Sequence, residues 1–206
     1  YTAANFKTHK LACKKDLQSI FGLHDWPVPV LAMVTRLVGH KGVDLVRHVA
    51  QEVVNNGIQL VVLGSGESEY ESFFSELAAR NPGAVGVRIG FVPSLARKVY
   101  AGADMFLMPS KSEPCGLSQM VALRYGAIPI VRETGGLKDT VEPYNEFEST
   151  GTGFSFANYN AHEMLGSVRY AKHIYYDKRR EWNKIIDRAM ATDFSWKVSA
   201  GKYQEL

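Results

Sequence analysis

Arg36 and Lys41 lie close together in Thr35-Arg36-Leu37-Val38-Gly39-His40-Lys41-Gly42. Two cations at one turn suit a diphosphate. A guanidinium forks two phosphate oxygens, and an ammonium adds a mobile point charge. Gly39 and Gly42 let the backbone turn tightly. The same octet also reads as a solvated loop with two surface cations. Leu63-Gly64-Ser65-Gly66-Glu67 is a second candidate. Gly64 and Gly66 permit close approach of a ligand to the backbone, or simply turn a strand into a helix. The third glycine of a dinucleotide fingerprint is absent, which argues against a dehydrogenase-type domain. The third segment runs from Pro109 to Gln119 through Glu113-Pro114-Cys115-Gly116-Leu117-Ser118. Pro114 keeps Glu113 extended, and Gly116 lets the chain approach a ligand. The amides of Gly116, Leu117 and Ser118 would be free donors at a helix N-terminus, a natural anion site. An ionised Glu113 only accepts hydrogen bonds, so sugar hydroxyls are a suitable partner; a solvated loop carboxylate is the alternative. In Glu133-Thr134-Gly135-Gly136-Leu137-Lys138-Asp139-Thr140, the two glycines before a helix start offer further amides or a plain turn and helix cap, with Arg132 an additional cation or a surface residue.

Each segment follows an apolar run that predicts a strand. Strands are expected at 28–35, 58–63, 84–89, 104–108, 127–131 and 153–156. Helices are expected at 41–56, 67–80, 94–101, 117–125, 161–176, 179–191 and from Ser195 onward. Val46, Val49, Ala50 and Val53 share one face of the first of these helices. Strands separated by helices predict βαβ units, right-handed crossovers and a parallel sheet. Ligands of such sheets bind beyond the carboxyl ends of the strands, where all four segments fall.

Composition narrows the function classes. The chain has 206 residues, 46% hydrophobic and 22% charged, which fits an α/β domain able to bury its own core. A net charge of +3, with the cations scattered, argues against a nucleic-acid surface. No apolar run approaches the roughly 18 residues of a membrane span. Cys13 and Cys115 show no zinc or disulfide spacing and read as reduced thiols. The start has no secretory layout. These features set the expectation of a cytoplasmic protein that binds neither membrane nor nucleic acid and holds no metal.

Ser110-x-x-Glu113-Pro114-Cys115-Gly116-Leu117-x-Gln119, then Tyr125-Gly126-Ala127-Ile128-Pro129, then Thr134-Gly135-Gly136-Leu137-x-Asp139-Thr140-Val141 resembles the bacterial glycogen synthase and plant starch synthase family. Thr35-Arg36-Leu37-x-x-x-Lys41-Gly42 upstream and Asp193-Phe194-Ser195-Trp196 downstream are similar to that family's motifs in order and spacing. The resemblance implies a GT-B fold, two Rossmann-like domains facing across a cleft. Residues 1–206 would be the C-terminal, nucleotide-sugar-binding domain, a parallel sheet with helices on both faces. The family's N-terminal domain, with its Lys-x-Gly-Gly-Leu motif and much of the acceptor site, is not in this sequence. A last helix of about 195–206, with Trp196, Ala200 and Tyr203 in register and no stop signal, would cross toward it.

The resemblance also implies roles. Arg36 and Lys41 would hold the diphosphate of ADP-glucose and Glu113 the glucose hydroxyls. Gly116, Leu117 and Ser118 would meet glucose and phosphate, with Gly64, Gly66, Cys115, Thr134 and Gly135 lining the donor site. Phe91 would lie against adenine, or else serve as core. Val121 stands where broader retaining relatives have a second Glu, so their ribose contact does not carry over. The implied reaction transfers glucose, with retention, to the non-reducing end of an α-1,4-glucan, without a metal or cofactor. A plastid location would apply to a plant source. A non-catalytic nucleotide-binding module, or a transferase using UDP-glucose, are the rival readings.

Overall fold

The computed structural model describes residues 1–198 and 200. Six strands form one fully parallel sheet: β1 (Val30–Val34), β2 (Gln59–Gly64), β3 (Val85–Ile89), β4 (Met105–Met108), β5 (Ile128–Arg132) and β6 (Phe154–Phe156). Their order is β3-β2-β1-β4-β5-β6. The chain therefore works outward from β1 to one edge, then returns to β1 and builds the other half. The crevice at such a reversal, between β1 and β4, is where an open α/β sheet receives a ligand.

The central strands are buried on both sides, and their alternation splits the core in two. Leu31 and Met33 of β1, with Leu60 and Val62 of β2, point to one face. There they meet α2 (Val43–Asn55), α3 (Ser68–Arg80), α7 (Ala161–Asp177) and α8 (Arg179–Ala191) through Val46, Phe74, Val168 and Trp182. Val30 and Ala32, with Val61 and Leu63, point to the other. This face is covered by α1 (Phe6–Ile20), α4 (Pro93–Gly102) and α5 (Ser118–Arg124), through Leu17, Val99 and Ala122. A short α6 (Gly135–Thr140) packs Leu137 against Val131 at the end of β5. Helices on both faces and a parallel sheet match the sequence expectation.

Helix α1 was not expected, and its composition explains why. Its buried face includes Lys10 and Lys14 beside Phe6, Leu17 and Gln18, so no apolar stripe announces it. Both ammonium groups are fully used. Lys10 Nζ donates to the carbonyls of Ala101 and Tyr125 and to the Tyr1 hydroxyl. Lys14 Nζ pairs with Asp104 at 2.6 Å and donates to the Val28 carbonyl and the Tyr175 hydroxyl. Burial without partners would cost several kcal/mol. The partners instead make the two lysines pins: Lys14 holds α1 to the amino ends of β1 and β4, and Lys10 holds it to the ends of α4 and α5. At the other end of the chain, residues 196–198 are helical. The expected continuation through Tyr203 to Leu206 lies outside the described residues.

Candidate functional site

The β1–α2 connection makes a 3-10 turn at Gly39–Lys41 and then enters Gly42 in the left-handed region, φ 77°. A Cβ on Gly42 would stand 2.1 Å from the Pro109 carbonyl oxygen. Only glycine fits, because both the backbone sign and the space exclude a side chain. The Lys111 amide completes the contact by donating to the His40 carbonyl at 2.9 Å. Thus the loops that leave β1 and β4, on either side of the crevice, are pressed together.

This contact sets Lys41 against Glu113. Their side chains form an ion pair at 2.5 Å, with 19% and 11% of their surface exposed. Family resemblance had assigned them to separate parts of a donor; here each is the other's counterion. The carboxylate of this loop therefore has a local electrostatic reason. Arg36 is exposed at the end of β1, with Nη2 3.3 Å from His40 Nε2. Gly116 takes φ 74° and turns the chain into α5. Leu117 is the N-cap of α5, without a side-chain cap bond. Among the described residues the amides of Gly116, Leu117 and Ser118 donate to no backbone carbonyl, and all three residues line the crevice.

Two cavities open at this point and share a wall. The smaller, about 210 Å³, is polar and lined by Arg36, Lys41, Glu113, Gly116, Leu117 and Ser118 among others. The larger, about 820 Å³, is bounded by Gly64, Phe91, Val92, Tyr100, Val121 and Tyr125, among others. Val34, Thr35, Arg36 and Ser118 belong to both. Phe91 is 89% exposed, so it is a wall of this cavity and not part of the core.

The other expected residues lie outside the two cavities or hold the loops that bound them. Gly66, Cys115, Thr134 and Gly135 line neither cavity. A Cβ on Gly66 would meet the Leu37 carbonyl oxygen at 2.2 Å, and one on Gly64 the Thr35 carbonyl oxygen at 1.8 Å. These two glycines let the loops after β1 and β2 touch. Gly135, φ 43°, abuts the Glu113 carbonyl oxygen, and the Gly136 amide donates to it at 3.1 Å. Thr134 is the N-cap of α6. Arg132 braces the same loop, donating through Nη1 to the Lys111 carbonyl at 3.2 Å. Fully buried Gln119 holds the loop from below, its Nε2 reaching the Cys115 and Gly116 carbonyls and the Thr140 hydroxyl. Gln119 stands in the motif, but nothing in the sequence distinguishes an anchor from a ligand contact.

A Rossmann-like parallel sheet of this order, with helices on both faces, is the fold of a GT-B glycosyltransferase catalytic domain. The chain belongs to the group 1 glycosyl transferases, whose family model matches residues 22–188. It is 53% identical, over its full length, to a glycogen synthase of Lachnoclostridium phytofermentans and 54% identical to one of Lachnospira eligens. The fold superposes with a TM-score of 0.91, at 31% identity and over 100% of this chain, on the catalytic domain of starch synthase IV from Arabidopsis thaliana bound to ADP and acarbose. The chain spans 43% of the length of each of these relatives.

Proposed function

We propose that the chain is the donor-binding half of a glycogen synthase that moves glucose from ADP-glucose to the 4-hydroxyl at the non-reducing end of an α-1,4-glucan, with retention. The carrying observation is the convergence of Arg36, Lys41, Glu113 and the free amides of the α5 N-terminus on one polar cleft that adjoins an apolar cavity. In this reading the base and ribose occupy the cavity against Phe91. The diphosphate enters the cleft between Arg36, Lys41 and the Gly116–Ser118 amides. Glu113 turns from Lys41 toward the glucose hydroxyls, while Lys41 turns to the phosphates. The starch synthase relative with bound ADP supports the choice of base.

The difficult part of such a transfer is the departure of a highly charged diphosphate. Fixed cations and amides that gain interaction as charge develops lower that barrier, on the order of several kcal/mol. The glucan would be presented by a second domain of the whole enzyme, toward which the segment after Ser195 would run.

Calorimetry of the 206-residue chain with ADP, ADP-glucose and UDP-glucose tests the site. Binding of ADP and ADP-glucose is expected, with UDP-glucose weaker. Failure of all three to bind would refute the site assignment.

A further inference from the structure

Tyr159 lies just beyond β6, at the carboxyl edge of the sheet, outside every motif considered above. It lines neither cavity. Its hydroxyl donates to Asp44 Oδ1 at 2.5 Å and lies 3.3 Å from the Gly39 carbonyl oxygen. Asp44 is in the first turn of α2, and Gly39 begins the 3-10 turn that carries Lys41. One hydroxyl thus spans both ends of the corner on which Lys41 is mounted. The ring has a second set of partners. Lys111 Nζ lies 5.7 Å and the Arg132 guanidinium 5.8 Å from its centroid, within cation–π range. Lys111 and Arg132 are the residues that link the β4–α5 loop to His40 and to the end of β5. Burial first, then the Asp44 carboxylate, hold the phenol above its ordinary range, so it stays a donor around neutral pH.

Three segments therefore meet on one side chain that touches no part of the cleft. A merely space-filling tyrosine would need neither a charged acceptor nor two cations. We propose that Tyr159 is a positioning residue: it fixes the Gly39–Asp44 corner against the β4–α5 loop, and so sets Lys41 where a nucleoside diphosphate meets it. This rests on the reading of the cleft as a diphosphate site.

The test is a double-mutant cycle on ADP affinity in the 206-residue chain, using Tyr159→Phe and Lys41→Ala. Tyr159→Phe keeps the ring and removes the hydrogen bond to a charged acceptor. It should weaken ADP binding by roughly three- to tenfold. In the Lys41→Ala background the same change should have almost no further effect. Independent losses that multiply would show a general structural role and overturn the proposal. Unchanged affinity of Tyr159→Phe in a parent that binds ADP would also overturn it. A parent that does not bind ADP would refute the cleft assignment instead. Asp44→Asn, which leaves the tyrosine intact and weakens its acceptor, should reproduce the Tyr159→Phe result; normal ADP affinity there would count against the proposal even if Tyr159→Phe does not fold.

Discussion

Glu113 and Lys41 neutralise one another in a partly buried pair, and that changes what their removal should do. On the proposed reading, Lys41→Ala takes away a phosphate cation, and it leaves Glu113 uncompensated in the cleft. ADP affinity should then fall by about tenfold or more, since the diphosphate loses a charge-assisted contact and meets an unpaired carboxylate. Arg36→Ala should also weaken ADP, by loss of a forked contact alone. Glu113→Ala releases Lys41 from its counterion, so ADP should bind at least as well as in the parent while ADP-glucose loses affinity. Calorimetry with both ligands reads this split, and equal losses for the two would contradict the sugar role of Glu113. Gly42 gives a different kind of prediction. Gly42→Ala forces a left-handed alanine against the Pro109 carbonyl and should cost about 1–3 kcal/mol or more. A denaturation midpoint would show it, and ADP binding should fall with it because the Lys41–Glu113 juxtaposition depends on that contact.

At the scale of elements, α1 carries the clearest pH signature. Burial depresses the Lys10 pKa from 10.5 to about 8. Below pH 8 the folded chain must hold a buried ammonium that the unfolded chain keeps in water, so Lys10 subtracts stability there. Between about pH 8 and 10 the unfolded state binds more protons than the folded state, and stability rises with pH. Above pH 10 the raised pKa values of Tyr1, mainly from burial, and of Lys14, whose partners Asp104 and Tyr175 outweigh its burial, reverse the trend. Denaturant titrations across this range should show a rise followed by a fall, and Lys10→Met should remove the rise. Helix α1 also marks the limit of what periodicity conveys. The six strands and the longer helices after Gly39 announce themselves because apolar residues face both sides of the sheet, while the six-residue α6 is too short to show a period. Helix α1 hides because lysines occupy its inner face and their partners, Ala101, Asp104, Tyr125 and Tyr175, lie far along the chain. The site divides in the same way. Arg36, Lys41 and Glu113 are legible as side chains that follow strands, whereas Phe91 is singled out only by the family resemblance. Gly64, Gly66 and Gly135 read as ligand contacts in the sequence, yet each abuts a neighbouring loop, and only the fold reveals which backbone carbonyl a side chain there would strike. Gln119 stands in the motif without a role in the sequence, and its hydrogen bonds to the loop before α5 supply one.

The described residues are built on one continuous six-stranded sheet, with the two adjoining cavities at the carboxyl ends of its central strands. On the reading proposed above, the chain alone should bind ADP-glucose and yet make no glucan; incubation with ADP-glucose and a maltooligosaccharide primer, followed by product analysis, checks this. Efficient chain extension by these 206 residues would overturn the division of labour between two domains.

The shared wall between the two cavities has a consequence for affinity. A nucleotide that places its base in one and its phosphates in the other behaves as a chelating ligand, since its two ends are tethered across Thr35, Arg36 and Ser118. Once either end is seated, the other rebinds from an effective concentration on the order of millimolar. Adenosine and pyrophosphate supplied separately should each be feeble ligands, and the two added together should fall well short of ADP.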